Sequence, residues 1–179
     1  ILYSCVQCDF VLHQECAYLP RKKQHAMHSH PLTLKVDNHK DRFSRCTTCS
    51  RISNGFQYTC CEGGCFVNLD VCCASVSEPH HYQHHPHPLF LTSTPRTLQT
   101  CSICRIRWTR MCLNCGECSF VLCFRCATLP NKMRYKYDQH FLSLFYDKDA
   151  RGQYWCDDCE EEADPKYGVF MCNDCNVTL

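Results

Sequence analysis

Cysteines separated by two residues recur along the chain and are the side chains best suited to chemistry. Such pairs include Cys5/Cys8, Cys46/Cys49, Cys101/Cys104, Cys115/Cys118, Cys156/Cys159 and Cys172/Cys175. Two thiolates in one tight turn suit a single metal ion, and the 11 histidines that accompany 21 cysteines supply the other favoured zinc donor. An odd number of cysteines also cannot be fully paired as disulfides within one chain. The spacing therefore predicts structural zinc rather than a disulfide framework.

The cysteines and histidines repeat with a period that several landmarks share. Steps of 57, 53 and 57 residues separate Cys8, Cys65, Cys118 and Cys175. Steps of 57 and 53 residues separate His30, His87 and His140, which open the similar stretches HPLTL, HPLFL and HFLSL. Separate motifs that recur with the same spacing indicate an internal repeat.

The period divides the chain into two complete modules and two halves. We expect complete modules at residues 29–84 and 85–139, the C-terminal half of a module at 1–28 and the N-terminal half of a truncated module at 140–179. On this reading the chain is a piece of a longer array, and the halves hold metal weakly or not at all. A module of about 55 residues buries too little apolar surface to fold on that alone, so bound metal must supply folding free energy.

Short patterns within each module predict strands and little helix. The stretches Gly55–Cys60 and His87–Leu91 alternate between apolar and polar residues, which is typical of strands. The stretch Leu12–Tyr18 fits one or two helical turns that carry ligands at positions i and i+3 of one face. The predicted fold class is therefore a tandem array of small α+β modules, stabilised by zinc, with little regular secondary structure.

The order of these motifs resembles the divergent C1 domain, a cysteine- and histidine-rich repeat abundant in plants. The shared pattern is H-P-L, C-x-x-C and then Y-x-C-x-x-C-x-F-x-L-H-x-x-C-A-x-L-P. Residues Tyr3–Pro20 carry its second half, and Cys156–Cys159 with Asp164–Cys175 resembles the first half of a final repeat. The resemblance implies a cross-braced zinc finger with about two zinc ions in each complete module. One site takes the opening histidine, the second cysteine pair and a late ligand, and the other takes the first pair and the H-x-x-C motif.

For the module 29–84, the resemblance implies two ligand sets. They are His30, Cys60 and Cys65 with a late histidine, and Cys46, Cys49, Asp70 and Cys73. The late histidine is His80, His81 or His84, and the sequence leaves this choice open. Cys61 adjoins Cys60 and could compete with it for metal.

For the module 85–139 and the two halves, the resemblance implies further ligands. The complete module supplies His87, Cys115 and Cys118, and separately Cys101, Cys104, Cys123 and Cys126. The halves supply Cys5, Cys8, His13, Cys16 and His25 at the start, and His140, Cys156, Cys159, Cys172 and Cys175 at the end. Tyr135 stands where His25 stands in the first half and is a poor zinc ligand, so Asp138 or Cys112 is a candidate replacement. A site of three protein ligands is the other alternative.

One ligand position changes its side chain between repeats. It holds His13, Asp70 and Cys123, which are zinc donors of differing softness, so the changes conserve coordination. We expect the all-thiolate site of Cys123 to hold zinc tightly and the site of Asp70 to release it first.

The composition excludes several classes of function. A net charge of +1 gives no electrostatic reason for nucleic-acid binding, and no small-molecule substrate or catalytic residue is predicted. Because the zinc is expected to be structural, enzymatic activity is less expected than a binding role. The resemblance implies a scaffold that binds other proteins in intracellular signalling, and reduced zinc thiolates suit the cytoplasm or nucleus.

Two alternative functions remain open at this stage. One is a thiol–disulfide oxidoreductase of the protein-disulfide reductase type, since C-x-x-C pairs can be redox centres. The other is a C1-like module that binds membrane lipid, for which Arg105–Met111 offers basic residues around Trp108. We favour the alternative in which Trp108 covers the small core of its own module.

Overall fold

The computed structural model describes residues 2–7, 11–36, 44–53, 55–91, 98–108, 111–147, 152–165 and 168–179. Cys8 and residues 109–110 of the basic stretch lie outside this range, as does the side chain of Trp108. The chain divides into two compact units, Ile1–Ser77 and Glu78–Leu179. Short antiparallel strands and single helical turns build both units, which agrees with the predicted fold class.

The first unit alternates short strands with two helical turns. The strands are β1 (Leu2–Ser4), β2 (Val11–His13), β3 (Lys22–His25), β4 (His28–Val36), β5 (Ser44–Arg45), β6 (Ile52–Ser53), β7 (Phe56–Cys60) and β8 (Asn68–Asp70), and the helices are α1 (Gln14–Ala17) and α2 (Val71–Ser75). The main sheet has the strand order β3-β4-β7-β8. Its fully buried side chains include Leu32, Tyr58 and Leu69. Burying one large apolar side chain contributes about 1.5–3 kcal/mol.

The second unit repeats this design twice. Its elements are β9 (Leu89–Leu91), β10 (Gln99–Thr100), β11 (Arg107–Trp108), β12 (Cys112–Cys115), β13 (Val121–Cys123), α3 (Phe124–Ala127), β14 (Lys132–Arg134), β15 (Phe141–Phe145), β16 (Tyr154–Trp155), β17 (Glu162–Ala163) and β18 (Val169–Met171). Two three-stranded sheets have the orders β13-β12-β9 and β14-β15-β18. Leu113, Leu122 and Leu142 are fully buried in these sheets.

The same strand pairing recurs in each repeat and brings distant cysteines and histidines together. The strand at or just after the opening histidine pairs with the strand that leads into the second cysteine pair, as β4 with β7, β9 with β12 and β15 with β18. The first cysteine pair lies in the turn of a separate small hairpin, β5–β6, β10–β11 or β16–β17. Register between strands therefore decides which donors meet.

Candidate metal centres

The structure gathers Cys, His and Asp side chains into groups of four whose ligand atoms all lie within 4.8 Å of one another. The described part of the chain contains five such groups, each named here after one member. They are the Asp70 cluster (Cys46, Cys49, Asp70, Cys73), the Cys123 cluster (Cys101, Cys104, Cys123, Cys126), the His28 cluster (His28, His30, Cys60, Cys65), the His85 cluster (His85, His87, Cys115, Cys118) and the Asp138 cluster (Asp138, His140, Cys172, Cys175). Four converging donors are what a tetrahedral structural zinc site requires.

The Asp70 and Cys123 clusters each join a hairpin turn to the start of a helix. Asp70 is the N-cap of α2, and its carboxylate accepts a hydrogen bond from the backbone N–H of Cys73 at 2.7 Å. Cys123 occupies the same N-cap position before α3, and Cys126 lies one turn later. Residues at the N-cap and three positions on lie on one side of a helix, so the H-x-x-C spacing aims both donors at the hairpin.

A residue with positive φ follows the first cysteine pair in each repeat. Ser50, Arg105 and Glu160 have φ values of 64°, 60° and 59°. Their N–H groups donate to the carbonyl oxygen of the first cysteine of the pair, at 3.1, 3.0 and 2.8 Å respectively. Residues other than glycine rarely adopt this conformation. Its recurrence at one position indicates that the turn, which presents both sulfur atoms together, constrains the backbone.

Separations between donor atoms test whether these groups fit zinc. Donors bound tetrahedrally at the usual Zn–S and Zn–N lengths lie about 3.6 Å apart for sulfur and nitrogen, and about 3.8 Å apart for two sulfurs. The observed separations are 3.7 Å for His30 Nδ1 and Cys60 Sγ, 3.6 Å for His85 Nε2 and Cys118 Sγ, 3.7 Å for His87 Nδ1 and Cys115 Sγ, and 3.8 Å for Cys104 Sγ and Cys123 Sγ. These four separations fit zinc, and the donor types of all five clusters suit it. The separations of 3.2 Å between His28 Nε2 and Cys65 Sγ, and of 3.1 Å between Cys172 Sγ and Cys175 Sγ, are shorter than those of a zinc-bound pair.

The Cys123 cluster also has an electrostatic need for a cation. All four thiols are buried, with exposures of 2% or less. Hydrogen bonds from Cys104, Cys123 and Cys126 hold the pKa of Cys101 far below its usual range, whereas the hydrogen bond to Cys101 raises the pKa of Cys123. The buried group by itself therefore favours a thiolate at Cys101 and opposes one at Cys123. A divalent cation removes this penalty and deprotonates the coordinating thiols.

The other three clusters take two donors from an H-x-H or D-x-H sequence. His28 and His30 lie on β4, where residues two apart point to the same face. His28 Nε2 lies 3.2 Å from Cys65 Sγ. Asp138 and His140 occupy equivalent positions before β15, and Cys175 Sγ lies 2.7 Å from Asp138 Oδ2 and 3.6 Å from His140 Nδ1.

A carboxylate holds one of these histidines in place. Glu117 Oε2 lies 3.2 Å from His87 Nε2, on the side of the ring away from the Nδ1 atom that faces Cys115. A hydrogen bond of this kind fixes the imidazole tautomer and makes the other nitrogen a better zinc donor.

The fourth donor of these clusters differs from the one expected from sequence. The structure places His28 beside His30, whereas His81 and His84 are exposed and belong to none of the clusters found among the described residues. His80 instead forms a backbone bridge with Leu89. Strand alternation explains the difference, because a histidine two residues earlier lies on the same strand face. The stretches HSH, HPH and DQH each place two donors two residues apart, and this spacing could have identified the fourth donor from sequence.

The same correction applies to the other two clusters. His85, which was not predicted as a ligand, occupies the position for which Asp138 and Cys112 were candidates in the second module. Asp138 instead completes a group of four with His140, Cys172 and Cys175, so the last segment gathers a full donor set where a partial one was expected. Cys112 is buried but stands outside the Cys123 cluster.

Several predicted ligands do not join any of the five clusters in the described ranges. His25 is 3% exposed, and its Nε2 atom lies 2.9 Å from the carbonyl oxygen of Val76. The remaining ones are Cys5, His13, Cys16, Cys156 and Cys159. Metal binding by these residues stays a prediction.

Comparison with known protein families decides the class of these repeats. A family model described as the C1 domain matches residues 26–74, 83–127 and 135–179. The chain belongs to the C1 domain family. Each matched segment contains one complete cluster of the H-x-H or D-x-H type, and the first two also contain the Asp70 and Cys123 clusters. C1 domains bind zinc, which agrees with the donor sets. No curated protein and no solved structure matches the chain.

Across the described ranges, none of the helices has the length and apolar character needed to cross a membrane.

Substituting single histidines will identify the fourth ligand of the first C1 domain. We expect His28→Ala to lose one zinc ion per chain, because His28 belongs to a cluster, and His84→Ala to lose none, because His84 is exposed and contacts Gln83. Native mass spectrometry of both variants measures the difference. Loss of zinc from His84→Ala with retention in His28→Ala would restore the late histidine as ligand.

The C1 domains will release their zinc ions in a definite order. In the Asp138 cluster His140 and Cys175 are exposed, and the separation of 3.1 Å between Cys172 Sγ and Cys175 Sγ is shorter than zinc favours. We therefore expect this cluster to empty before the Asp70 cluster, and the buried Cys123 cluster to empty last, because zinc prefers thiolates. Cysteines are alkylated at timed points during chelation and located by peptide mapping, which measures the loss of zinc from each cluster separately. Early labelling of Cys101 would contradict this order.

Proposed function

We propose that this array of C1 domains is a zinc-stabilised scaffold that binds other proteins. The observation that supports the proposal is that each cluster offers four protein donors, which is the full number of ligands for tetrahedral zinc. Zinc with a full shell has no open position for substrate or activated water, so its role is structural. The remaining surface is then available for recognition, as expected where a rigid framework presents loops and strand faces.

An aromatic face on the last C1 domain is the surface best suited to a protein partner. The exposed face of β15 carries Phe141 and Phe145, with exposures of 60% and 38%. The ring of Tyr154 lies 6.4 Å from that of Phe145. Aromatic side chains are enriched among residues that dominate binding energy at protein interfaces. We infer that this face contacts the partner, and that the scaffold serves intracellular signalling in the cytoplasm or nucleus.

Crosslinking with matched surface variants tests the proposal. The tagged chain is crosslinked in cells, and bound proteins are compared between wild type, Phe141→Ser/Phe145→Ser and the control Phe66→Ser. Phe66 is 89% exposed in the first unit, so its variant controls for the loss of an exposed phenylalanine. We expect a partner that the double variant loses and the control keeps, with equal zinc content in all three proteins.

Two other outcomes would contradict the proposed scaffold function. Catalytic turnover of a protein disulfide while zinc stays bound would favour the oxidoreductase. Salt-insensitive binding to vesicles that contain diacylglycerol, lost when the basic stretch is substituted, would favour a lipid-binding module.

A further inference from the structure

Cys112 is a buried cysteine that belongs to none of the five clusters found among the described residues. It lies on β12 directly opposite Cys123 of β13, in the register that pairs these two strands. Cys123 is itself 1% exposed and is a member of the Cys123 cluster. Side chains of directly opposed residues project from the same face of an antiparallel sheet. A sulfur outside the zinc shell therefore lies beside one that belongs to it.

The backbone hydrogen bonds of β13 show which kind of cross-strand pair Cys112 and Cys123 form. Val121 donates its N–H to Ser102 Oγ at 3.0 Å, and its carbonyl oxygen accepts from the N–H of Ser102 at 2.7 Å. The N–H of Cys123 donates to Cys101 Sγ at 3.5 Å. These groups are directed away from β12, so Val121 and Cys123 both belong to non-hydrogen-bonded pairs of the antiparallel ladder.

A pair of this kind has the spacing that a disulfide needs. Its two Cα atoms lie about 4.5 Å apart, and its side chains approach more closely than those of a hydrogen-bonded pair. A disulfide requires Cα atoms about 4.4–6.8 Å apart. Neither Cys112 nor Cys123 takes part in a disulfide in this structure. The strands therefore hold two reduced cysteines where a bond between them needs little movement of the backbone.

This arrangement distinguishes the C1 domain of residues 83–127 from the two others. The residue three positions before the second cysteine pair is Cys112 here, Gln57 in the first C1 domain and Val169 in the last. Gln57 lies opposite Asp70, so neither member of that equivalent pair carries sulfur. The first C1 domain therefore provides an internal comparison that cannot form the same bond.

A cleft beside the Cys123 cluster gives a small oxidant access to its sulfur atoms. The cleft has a volume of about 310 Å³ and is lined by Cys104, Ile106, Arg125, Cys126 and Leu129. Cys104 Sγ lies 3.8 Å from Cys123 Sγ, so the cleft leads to the neighbour of Cys123. A water molecule occupies about 30 Å³ of liquid, and hydrogen peroxide, with one more oxygen atom, fits this space as well.

We propose that Cys112 and Cys123 are a site of oxidative modification, at which hydrogen peroxide joins them in a cross-strand disulfide. The Cys123 thiolate attacks one peroxide oxygen, the O–O bond breaks, and a sulfenic acid forms while hydroxide leaves. The thiol sulfur of Cys112 then attacks the sulfenic sulfur. The S–S bond forms, the S–O bond breaks, and the hydroxyl leaves with the thiol proton as water. The two sulfur atoms lose two electrons together, and the peroxide gains them.

The disulfide withdraws one ligand from the zinc shell. Cys101, Cys104 and Cys126 remain, and three donors no longer complete the tetrahedral site that structural zinc requires. Oxidation therefore releases zinc from this cluster, and a thiol reductant returns Cys123 to it. This inference rests on zinc binding by the Cys123 cluster and is independent of the scaffold role.

Peptide mapping of the oxidised chain tests the proposal directly. The full zinc-loaded chain is treated with hydrogen peroxide, its remaining thiols are alkylated, and it is cleaved without reduction by a protease that cuts after Phe120. This cut separates Cys123 from Cys112. We expect linked peptides whose fragmentation places the bond between these two cysteines, together with the loss of one zinc ion per chain. Reductant and added zinc should reverse both changes.

A different disulfide pattern would overturn the proposal. That result is oxidation confined to the pairs Cys101/Cys104 and Cys123/Cys126, with Cys112 recovered in its alkylated form. Because the map uses the wild-type chain, it decides the question even if a substitution at the buried position 112 lowers the stability of a variant.

Matched variants connect the disulfide to the release of zinc. Cys112→Ala is compared with wild type and with Cys61→Ala, whose cysteine is exposed and outside the clusters of the described residues. Without oxidant, we expect all three proteins to hold the same amount of zinc, because neither cysteine is a ligand. At a peroxide dose that removes one zinc ion from wild type and from Cys61→Ala, Cys112→Ala should retain it. Equal loss of zinc from all three proteins would overturn the proposal.

Discussion

Removal of zinc under reducing conditions will unfold both units of this chain. The fully buried apolar side chains are few, and buried cysteines account for much of the interior. Structural zinc contributes about 10–16 kcal/mol of apparent binding free energy in finger peptides at neutral pH, which is as large as the usual stability of a whole domain, about 5–15 kcal/mol. A strong chelator in the presence of a reductant should therefore abolish strand circular dichroism and collapse the amide proton dispersion in NMR spectra.

Restoring zinc provides the control for this prediction. Zinc added after removal of the chelator should return both signals, because reduced thiols can still coordinate it. The reductant matters, since disulfides formed in the metal-free chain would block refolding. Native strand signal that persists at full zinc loss would contradict the prediction, because it would mean that the apolar core alone holds the fold.

Substituting two adjacent cysteines will give opposite results. Cys60 is 9% exposed, ends β7 and belongs to the His28 cluster, whereas Cys61 is exposed and stands outside it. We expect Cys60→Ser to lose one zinc ion and several kcal/mol of stability, because a hydroxyl is a poor zinc ligand and the remaining donors no longer close the shell. Cys61→Ser should keep its metal and its stability within about 0.5 kcal/mol, as is usual for exposed sites.

Urea denaturation with zinc determination checks both variants in one series. The two changes are chemically identical and lie one residue apart, so a difference between the variants must come from where each side chain lies. The physical reason is that Cys60 is the last residue of β7 and belongs to the His28 cluster, whereas Cys61 follows the strand and is exposed. Equal loss of zinc from both variants would show that Cys61 also binds the metal.

Part of this arrangement could be predicted from spacing, and the grouping of ligands into sites from the resemblance to the divergent C1 domain. The hairpin pairs Cys46/Cys49 and Cys101/Cys104 are short-range patterns, and a turn of two intervening residues is enough to join their sulfur atoms. The partners Asp70 and Cys123 stand at the histidine of the H-x-x-C motif, so the resemblance identified this ligand position despite the change of side chain. The helical turn expected within Leu12–Tyr18 is α1, for the same local reason.

The remainder depends on contacts that no local pattern specifies. Histidines crowd the segment His80–His87, and composition cannot choose among them. Strand register does, because β9 pairs with β12 and brings His85 and His87 towards Cys115 and Cys118.

Metal content per chain is the most direct test of these C1 domains as zinc sites. Elemental analysis of the purified, reduced protein should give five zinc ions per chain, one for each cluster, rather than the four expected from two complete modules. Mass spectrometry should find the cysteines as thiols once the metal is removed. A metal content near zero, with the cysteines joined as disulfides, would contradict the account.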